Sequence, residues 1–176
     1  PFTHTSNLVT ITLNGIQNAG DLFEISATFD GTPIPSGWGS FDGSSHGGVD
    51  LLSTLSEPEG ARDWWPCKDV PDDKFTADIH YRVPVEFSAP GPGLLQSVTD
   101  HGAASHTWHW DESYPFNSYL IALAITNYQH YSDSFTSSRG YTVPIENYVY
   151  PEHFDNSVED LSVTPQTMAL MDSLFG

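Results

Sequence analysis

Apolar and polar residues alternate with a period of two over much of the chain, the spacing of half-buried strands. Asn7–Leu13 sets Val9, Ile11 and Leu13 against Leu8, Thr10 and Thr12. Leu22–Phe29 sets Phe23, Ile25, Ala27 and Phe29 against Leu22, Glu24, Ser26 and Thr28. With the turn-like Gly15–Gly20 between them, the two predict a hairpin with a long loop. Gly31–Gly48 is rich in glycine, proline and serine, with Trp38 and Phe41 embedded, and reads as a packed surface loop. The Gly-Ser-Ser-His run at 43–46 reads as part of that loop. An extended pattern returns at Val49–Leu55. It resumes at Thr76–Val83, where Phe75, Ala77, Ile79, Tyr81 and Val83 share one side.

Ser88–Gly93 is a proline and glycine turn, Leu94–Thr99 a strand and Asp100–Ser105 a second turn. His106–Trp110 then places His106, Trp108 and Trp110 on one face. Tyr119–Tyr128 is continuously apolar, which predicts a strand buried on both faces. Ser132–Gly140 is polar, and Tyr141–Tyr150 is a last strand in which Pro144 requires an edge or a bulge. Only the tail has helical spacing. Thr164-Pro165 predicts an N-cap and first turn. Met168, Met171 and Phe175, with Leu170 and Leu174, follow as an apolar stripe suited to packing on another domain. Val158 and Leu161 suggest a shorter helical turn before it. The predicted fold class is all-β: an antiparallel sandwich or saddle-like curved sheet with a short C-terminal helix leading out of it.

Composition narrows the partners. In 176 residues, 5 lysines and arginines face 23 aspartates and glutamates, a net charge of −18. A field of that sign repels phosphate backbones and anionic lipid surfaces, so nucleic-acid and membrane partners are not expected. The longest apolar run is too short to span a bilayer. The chain starts at Pro1 without a visible signal peptide and reads as a processed or excised piece. The single cysteine, Cys67, forms no internal disulfide and reads as a small buried thiol.

The densest chemistry lies at Thr54–Lys74. This stretch holds Arg62, Lys68 and Lys74, the paired Trp64 and Trp65, Cys67, and the carboxylates Glu57, Glu59, Asp63, Asp69, Asp72 and Asp73. Pro58 restricts Glu57 to extended backbone and so gives its carboxylate a set direction. A fixed carboxylate suits recognition of an ammonium group. An ordinary exposed glutamate fits the same pattern, and both readings stand. Arg62 and Asp69, with Lys74, form a predicted structural clasp, the guanidinium fork being suited to a carboxylate partner. If extended, Trp64 and Trp65 point to opposite faces, so that one of them enters the core. Eight histidines raise the question of zinc, which needs three or four converging ligands. His106 and His109, three apart in a strand, point to opposite faces, and no His-Glu-x-x-His occurs. No metal site is therefore predicted. No Gly-x-Ser-x-Gly elbow and no phosphate-binding glycine loop occurs either.

Glu-Pro-Glu-Gly-Ala-Arg-Asp-Trp-Trp-Pro-Cys-Lys-Asp at 57–69, with Pro71, Asp73 and Lys74, resembles the N-terminal β-domain of the aminopeptidase N family of zinc metallopeptidases. Phe29-Asp30-Gly31-Thr32-Pro33 is similar to that family's Tyr-x-Gly-x-Pro, and Tyr119–Ala124 to its Tyr-Leu-x-x-Phe strand. Tyr148–Glu152 followed by the Thr164 helix is similar to the family's passage into the catalytic domain. The resemblance implies an N-terminal domain at 1–153, lacking its first strands, and the helical start of a catalytic domain at 154–176. It implies that Glu57 lines the pocket for the substrate amine. It further implies a parent enzyme that uses zinc to release N-terminal amino acids from peptides. The partners implied are the peptide N-terminus and the catalytic domain of the same parent. Leu55 stands where the family has glutamine, and Ser88–Gly93 replaces a Ser-Asn-Gly turn. The family's zinc-binding helix and Gly-x-Met-Glu-Asn loop are expected beyond Gly176, with Ile145-Glu146-Asn147 only a partial echo. This piece alone is thus expected to have no catalytic residue, no metal and no activity. The competing reading is an aromatic-rich binding module for carbohydrate or adhesion, with Trp38, Trp108 and Trp110 as stacking candidates.

Overall fold

The computed structural model describes all 176 residues, which divide into two units, Pro1–Gly31 and Thr32–Gly176. In the first, strands β1 (Phe2–Thr5) and β2 (Leu8–Ile11) pair antiparallel about a Ser6-Asn7 turn. The hairpin predicted between Asn7–Leu13 and Leu22–Phe29 is not formed. Leu8–Ile11 pairs instead with the N-terminal residues, and Asp21–Ser36 is irregular. Phe23, Ile25 and Phe29 are exposed, so the alternation there has no apolar layer to bury against.

The second unit holds the remaining strands, all paired antiparallel. The hairpin β3 (Asp42–His46) and β4 (Val49–Ser53) turns at Gly47-Gly48, and β4 also pairs with the two-residue β8 (Ala124–Ile125). Strands β5 (Phe75–Pro84), β6 (Leu94–Asp100) and β7 (Ser105–Phe116) form a second sheet with β7 central. β9 (Gln129–Thr136) and β10 (Thr142–Val149) form a ribbon, and Pro144 is accommodated because neither strand has a second neighbour. Two strands arise where none was predicted, β3 within a stretch read as loop and β9 largely within one read only as polar. β3 and most of β9 carry polar side chains, and their pairing is made by the backbone, which leaves no hydrophobic period to read.

The predicted Tyr119–Tyr128 strand is mostly absent. Ser118–Leu120 is a 3-10 turn, and only Ala124–Ile125 pairs with β4. Its apolar residues nevertheless supply the core, where Ile125 and Leu123 pack with Val83, Ala89, Tyr81, Phe87 and Trp108. The even-spaced face of β5 and the tryptophan face of β7 close this core from the second sheet, as their alternation predicts. Trp110 is only 6% exposed and donates its indole N–H to Ala89 O at 2.9 Å. The Tyr81 hydroxyl donates to Ala122 O at 2.7 Å, and burial pushes that phenol up to about 12. These two bonds carry polar tips through an apolar layer without leaving them unsatisfied.

Helix α1 (Phe154–Leu161) is followed almost directly by α2 (Thr164–Phe175). Thr164 is not an N-cap. Val163 precedes the helix in right-handed conformation, its carbonyl accepting from the Thr167 amide, so Thr164 and Pro165 are already helical. α2 packs on β9, with Ser138 N–H donating to Asp172 at 2.7 Å. Leu170, Met171, Leu174 and Phe175 of the apolar stripe remain exposed. Removing the core indole by Trp110→Ala is expected to cost about 3–5 kcal/mol, read as a lowered urea midpoint with the far-ultraviolet spectrum retained.

Candidate functional site

Glu57 stands at the start of a turn, Glu57–Gly60, between two anchored segments. On its N-terminal side the Thr54 amide donates to Leu123 O at 3.1 Å, and the Leu123 amide donates to the Thr54 hydroxyl at 2.9 Å. Buried Ser56 follows, accepting the Trp64 indole N–H at 3.1 Å and donating to Ser40 O at 3.3 Å. On its C-terminal side the chain is held by Asp69. That carboxylate is buried and accepts the Gly60 amide at 2.9 and 3.1 Å and the Ala61 amide at 3.0 Å.

Gly60 is required on two counts. Its φ is +141°, a region that side-chain-bearing residues rarely adopt, and an added Cβ would come within 2.9 Å of Ser40 Cβ. Of the predicted clasp, the structure brings Arg62 and Asp69 together at one contact, Nε to Oδ2 at 3.5 Å, with no bidentate fork. Arg62 is nearly half exposed. Lys74 is not among these contacts. Lys68 forms the neighbouring ion pairs, with Asp72 at 2.9 Å and Asp73 at 2.6 Å.

A second anchor was not legible in the sequence. Asp63 accepts from the hydroxyls of Ser36 and Ser40 and from the Ser36 amide, 27 residues away. Burial opposes its ionisation, but these donors and the Arg62 charge outweigh it and hold the carboxyl below its usual range. No local spacing links Ser36 to Asp63, so only the loop's closure reveals it. Cys67 is half-buried, and burial, aided by the Asp69 charge, pushes its thiol up to about 12. It is not a nucleophile at neutral pH. Trp64 and Trp65 both stay partly exposed, their rings 6.2 Å apart, because a 3-10 turn at Ala61–Asp63 replaces the extended backbone. The prediction that one of them enters the core does not hold.

The Glu57 carboxylate is exposed and enters none of the hydrogen bonds or ion pairs of this loop. Its position is thus fixed by its neighbours while its charge stays available. Two concave surfaces of the chain lie around Pro151–Asn156 and around Tyr128, Tyr148 and Tyr150, and Glu57 lines neither.

The stacking platform of the carbohydrate reading is not present. Trp110 is core, Trp108 packs edge-on against Tyr148, and only Trp38, 92% exposed, is a free indole. Among the histidines, His106 Nε2 lies 2.7 Å from Phe87 O, and His46 is stacked on Tyr150 between Glu152 and Thr126. His130 contacts Glu146 at 2.6 Å. His80 and His109, 29 positions apart, stack at 4.2 Å beside Asp78, a grouping that local spacing does not show.

Fold and loop together define a class: a β-rich domain with an exposed carboxylate on a loop anchored at both ends. No family model matches the chain. Over 101 residues it is 37% identical to leucine aminopeptidase 2 of Vanderwaltozyma polyspora, a match that covers 56% of this chain and 14% of that protein. An M1 zinc metallopeptidase from Deinococcus radiodurans superposes with a TM-score of 0.55 at 26% identity, over 66% of this chain and 27% of that one. Legionella pneumophila aminopeptidase A, in complex with aspartic acid, gives a TM-score of 0.65 over 77% of this chain and 16% of that one. At 24% identity, that last likeness shows the fold. Relatives by sequence and by structure point to the M1 zinc aminopeptidases, and the coverage is consistent with an N-terminal domain of that family. The chain spans about a seventh of the length of the curated relatives it matches.

Two outcomes test the loop. Asp69→Ala strands two buried amides and is expected to cost at least about 1–3 kcal/mol, measured by urea unfolding. For Asp63, a folded-state pKa below the ordinary 3.8 means that the unfolded chain binds the proton first as pH falls. Its contribution is therefore complete above the unfolded value and lost as pH falls through the lower folded one. Between about pH 5 and 2, the thermal midpoint of the natural chain should fall more steeply than that of Asp63→Asn.

Proposed function

We propose that this chain is the non-catalytic N-terminal part of a zinc aminopeptidase that releases N-terminal amino acids from peptides. In this reading residues 1–153 are the β-domain that caps the active site, and residues 154–176 begin the catalytic domain. Glu57 anchors the free amine of the substrate. The observation that carries the reading is the Glu57 carboxylate itself: exposed, without an internal partner, and bracketed by the Thr54–Leu123 and Gly60–Asp69 hydrogen bonds. A carboxylate on an anchored backbone meets a protonated N-terminus through a charge-assisted bond, at the cost of ordering only its own side chain.

The zinc of such an enzyme polarises a water for attack on the peptide carbonyl. The residues of this chain do not supply its His-Glu-x-x-His motif, and no step through that ion is assigned to them. What this chain contributes is binding and orientation. The exposed stripe of Leu170, Met171, Leu174 and Phe175 is available to the rest of the catalytic domain, and the 176-residue chain alone should hydrolyse no aminoacyl anilide.

In the full-length parent, Glu57→Ala removes the ammonium contact and should cost about 1.5–3 kcal/mol of transition-state binding, roughly ten- to hundredfold in kcat/KM. The same variant should weaken inhibition by free amino acids and leave inhibition by their des-amino analogues unchanged. Unaltered kcat/KM, or equal weakening of both inhibitor classes, would remove Glu57 from the amine site.

A further inference from the structure

We infer that Asp78, His80 and His109 form a site for one divalent transition-metal ion of the zinc type on the outer face of the β5–β7 pair. The inference does not depend on the aminopeptidase reading. Asp78 and His80 are two apart on β5 and share a face, and His109 lies directly opposite His80 on β7. The antiparallel register thus brings His109, remote in sequence, beside Asp78 and His80. His80 Nε2 lies 2.8 Å and His109 Nε2 3.0 Å from the same oxygen, Asp78 Oδ1. All three ligand atoms lie within 4.8 Å of one another.

Two features separate this cluster from the other histidine contacts. The first is that His109 Nε2 is buried and makes no aligned hydrogen bond, even at 3.0 Å from the carboxylate. His46 and His130, by contrast, have their facing nitrogens in hydrogen bonds. An unpaired buried nitrogen is costly, and a metal ion satisfies it. The second is support. The strand backbone that carries the ligands is paired along β5 and β7, while the opposite face of both strands is core. Ligands on rigid strands lose little freedom on binding.

Two imidazoles and a carboxylate, with a water in the fourth position, make a tetrahedral set suited to zinc. Bringing both Nε2 atoms onto one ion requires rotations about χ2, a soft torsion in histidine. Each ring binds neutral, with its proton on Nδ1, and one carboxylate offsets half of the ion's charge. Asp111, opposite Asp78 in register, and a chain of net charge −18 favour a cation further.

The test is calorimetric titration of the full 176-residue chain with Zn2+, repeated on Asp78→Asn, His80→Ala, His109→Ala and the control His130→Ala. One equivalent should bind, and each of the first three substitutions should weaken it by at least about tenfold. His130→Ala should bind as the natural chain does. On the unsubstituted chain, the first equivalent of Zn2+ should shift the imidazole resonances of His80 and His109 before those of His46, His101 and His130. That readout stands even if a variant fails to fold. No stoichiometric binding, unchanged affinity in the three variants, or earlier shifts at another histidine would overturn the site.

Discussion

The loop that carries Glu57 depends on one buried carboxylate. Asp69 is 8% exposed and accepts three hydrogen-bond contacts from the amides of Gly60 and Ala61. Burying a carboxylate there is compensated by the backbone amides that converge on it, with Arg62 Nε at 3.5 Å. The convergence in turn requires the Gly60 conformation that a side chain would obstruct. The irregular chain from Gly60 to Asp69 is thereby closed into one shape, and Asp63 fastens that shape to Ser36 and Ser40.

A loop without regular hydrogen bonding can in this way hold the backbone of one residue in a set place. Glu57 takes no part in the fastening. The chain on its two sides is held by bonds to Leu123, Ser40 and Asp69, so its backbone is held while its charge is left unpaired. A carboxylate paired within its own loop would have to break that bond to receive a ligand. The separation of holding residues from presenting residues is the physical basis of the proposed amine anchor.

The β5–β7 pair uses the pleat for two purposes. One face gives Tyr81, Val83, Trp108 and Trp110 to the core, where the tyrosine and Trp110 send their polar tips to backbone carbonyls. The other face gathers Asp78, His80 and His109. Neither use disturbs the other, because successive side chains along a strand point to opposite faces.

Where alternation met an apolar layer, the sequence was readable. β5, β6 and β7, the turns between them, the C-terminal helix and the irregular nature of residues 54–74 could all be read from local spacing. Residues 22–29 show equally clean alternation and form no strand, since a period states which side chains could be buried and not whether a layer exists to bury them. β3 and β9 reverse the case: polar residues pair through backbone groups that every sequence carries. The same division runs through the loop of residues 54–74. Residue types suggested the Arg62–Asp69 pair and left two readings for Glu57, which the family resemblance then singled out. Tertiary closure decided that Asp69 holds backbone amides more than it holds Arg62, that Lys68 rather than Lys74 forms the local ion pairs, and that Ser36 reaches Asp63. Hydrogen bonds from a carboxylate to an amide or hydroxyl leave no signature at a fixed spacing, so distance along the chain could not reveal them, whereas the chemical identity of the mixed stretch around Glu57 was visible from the residues themselves.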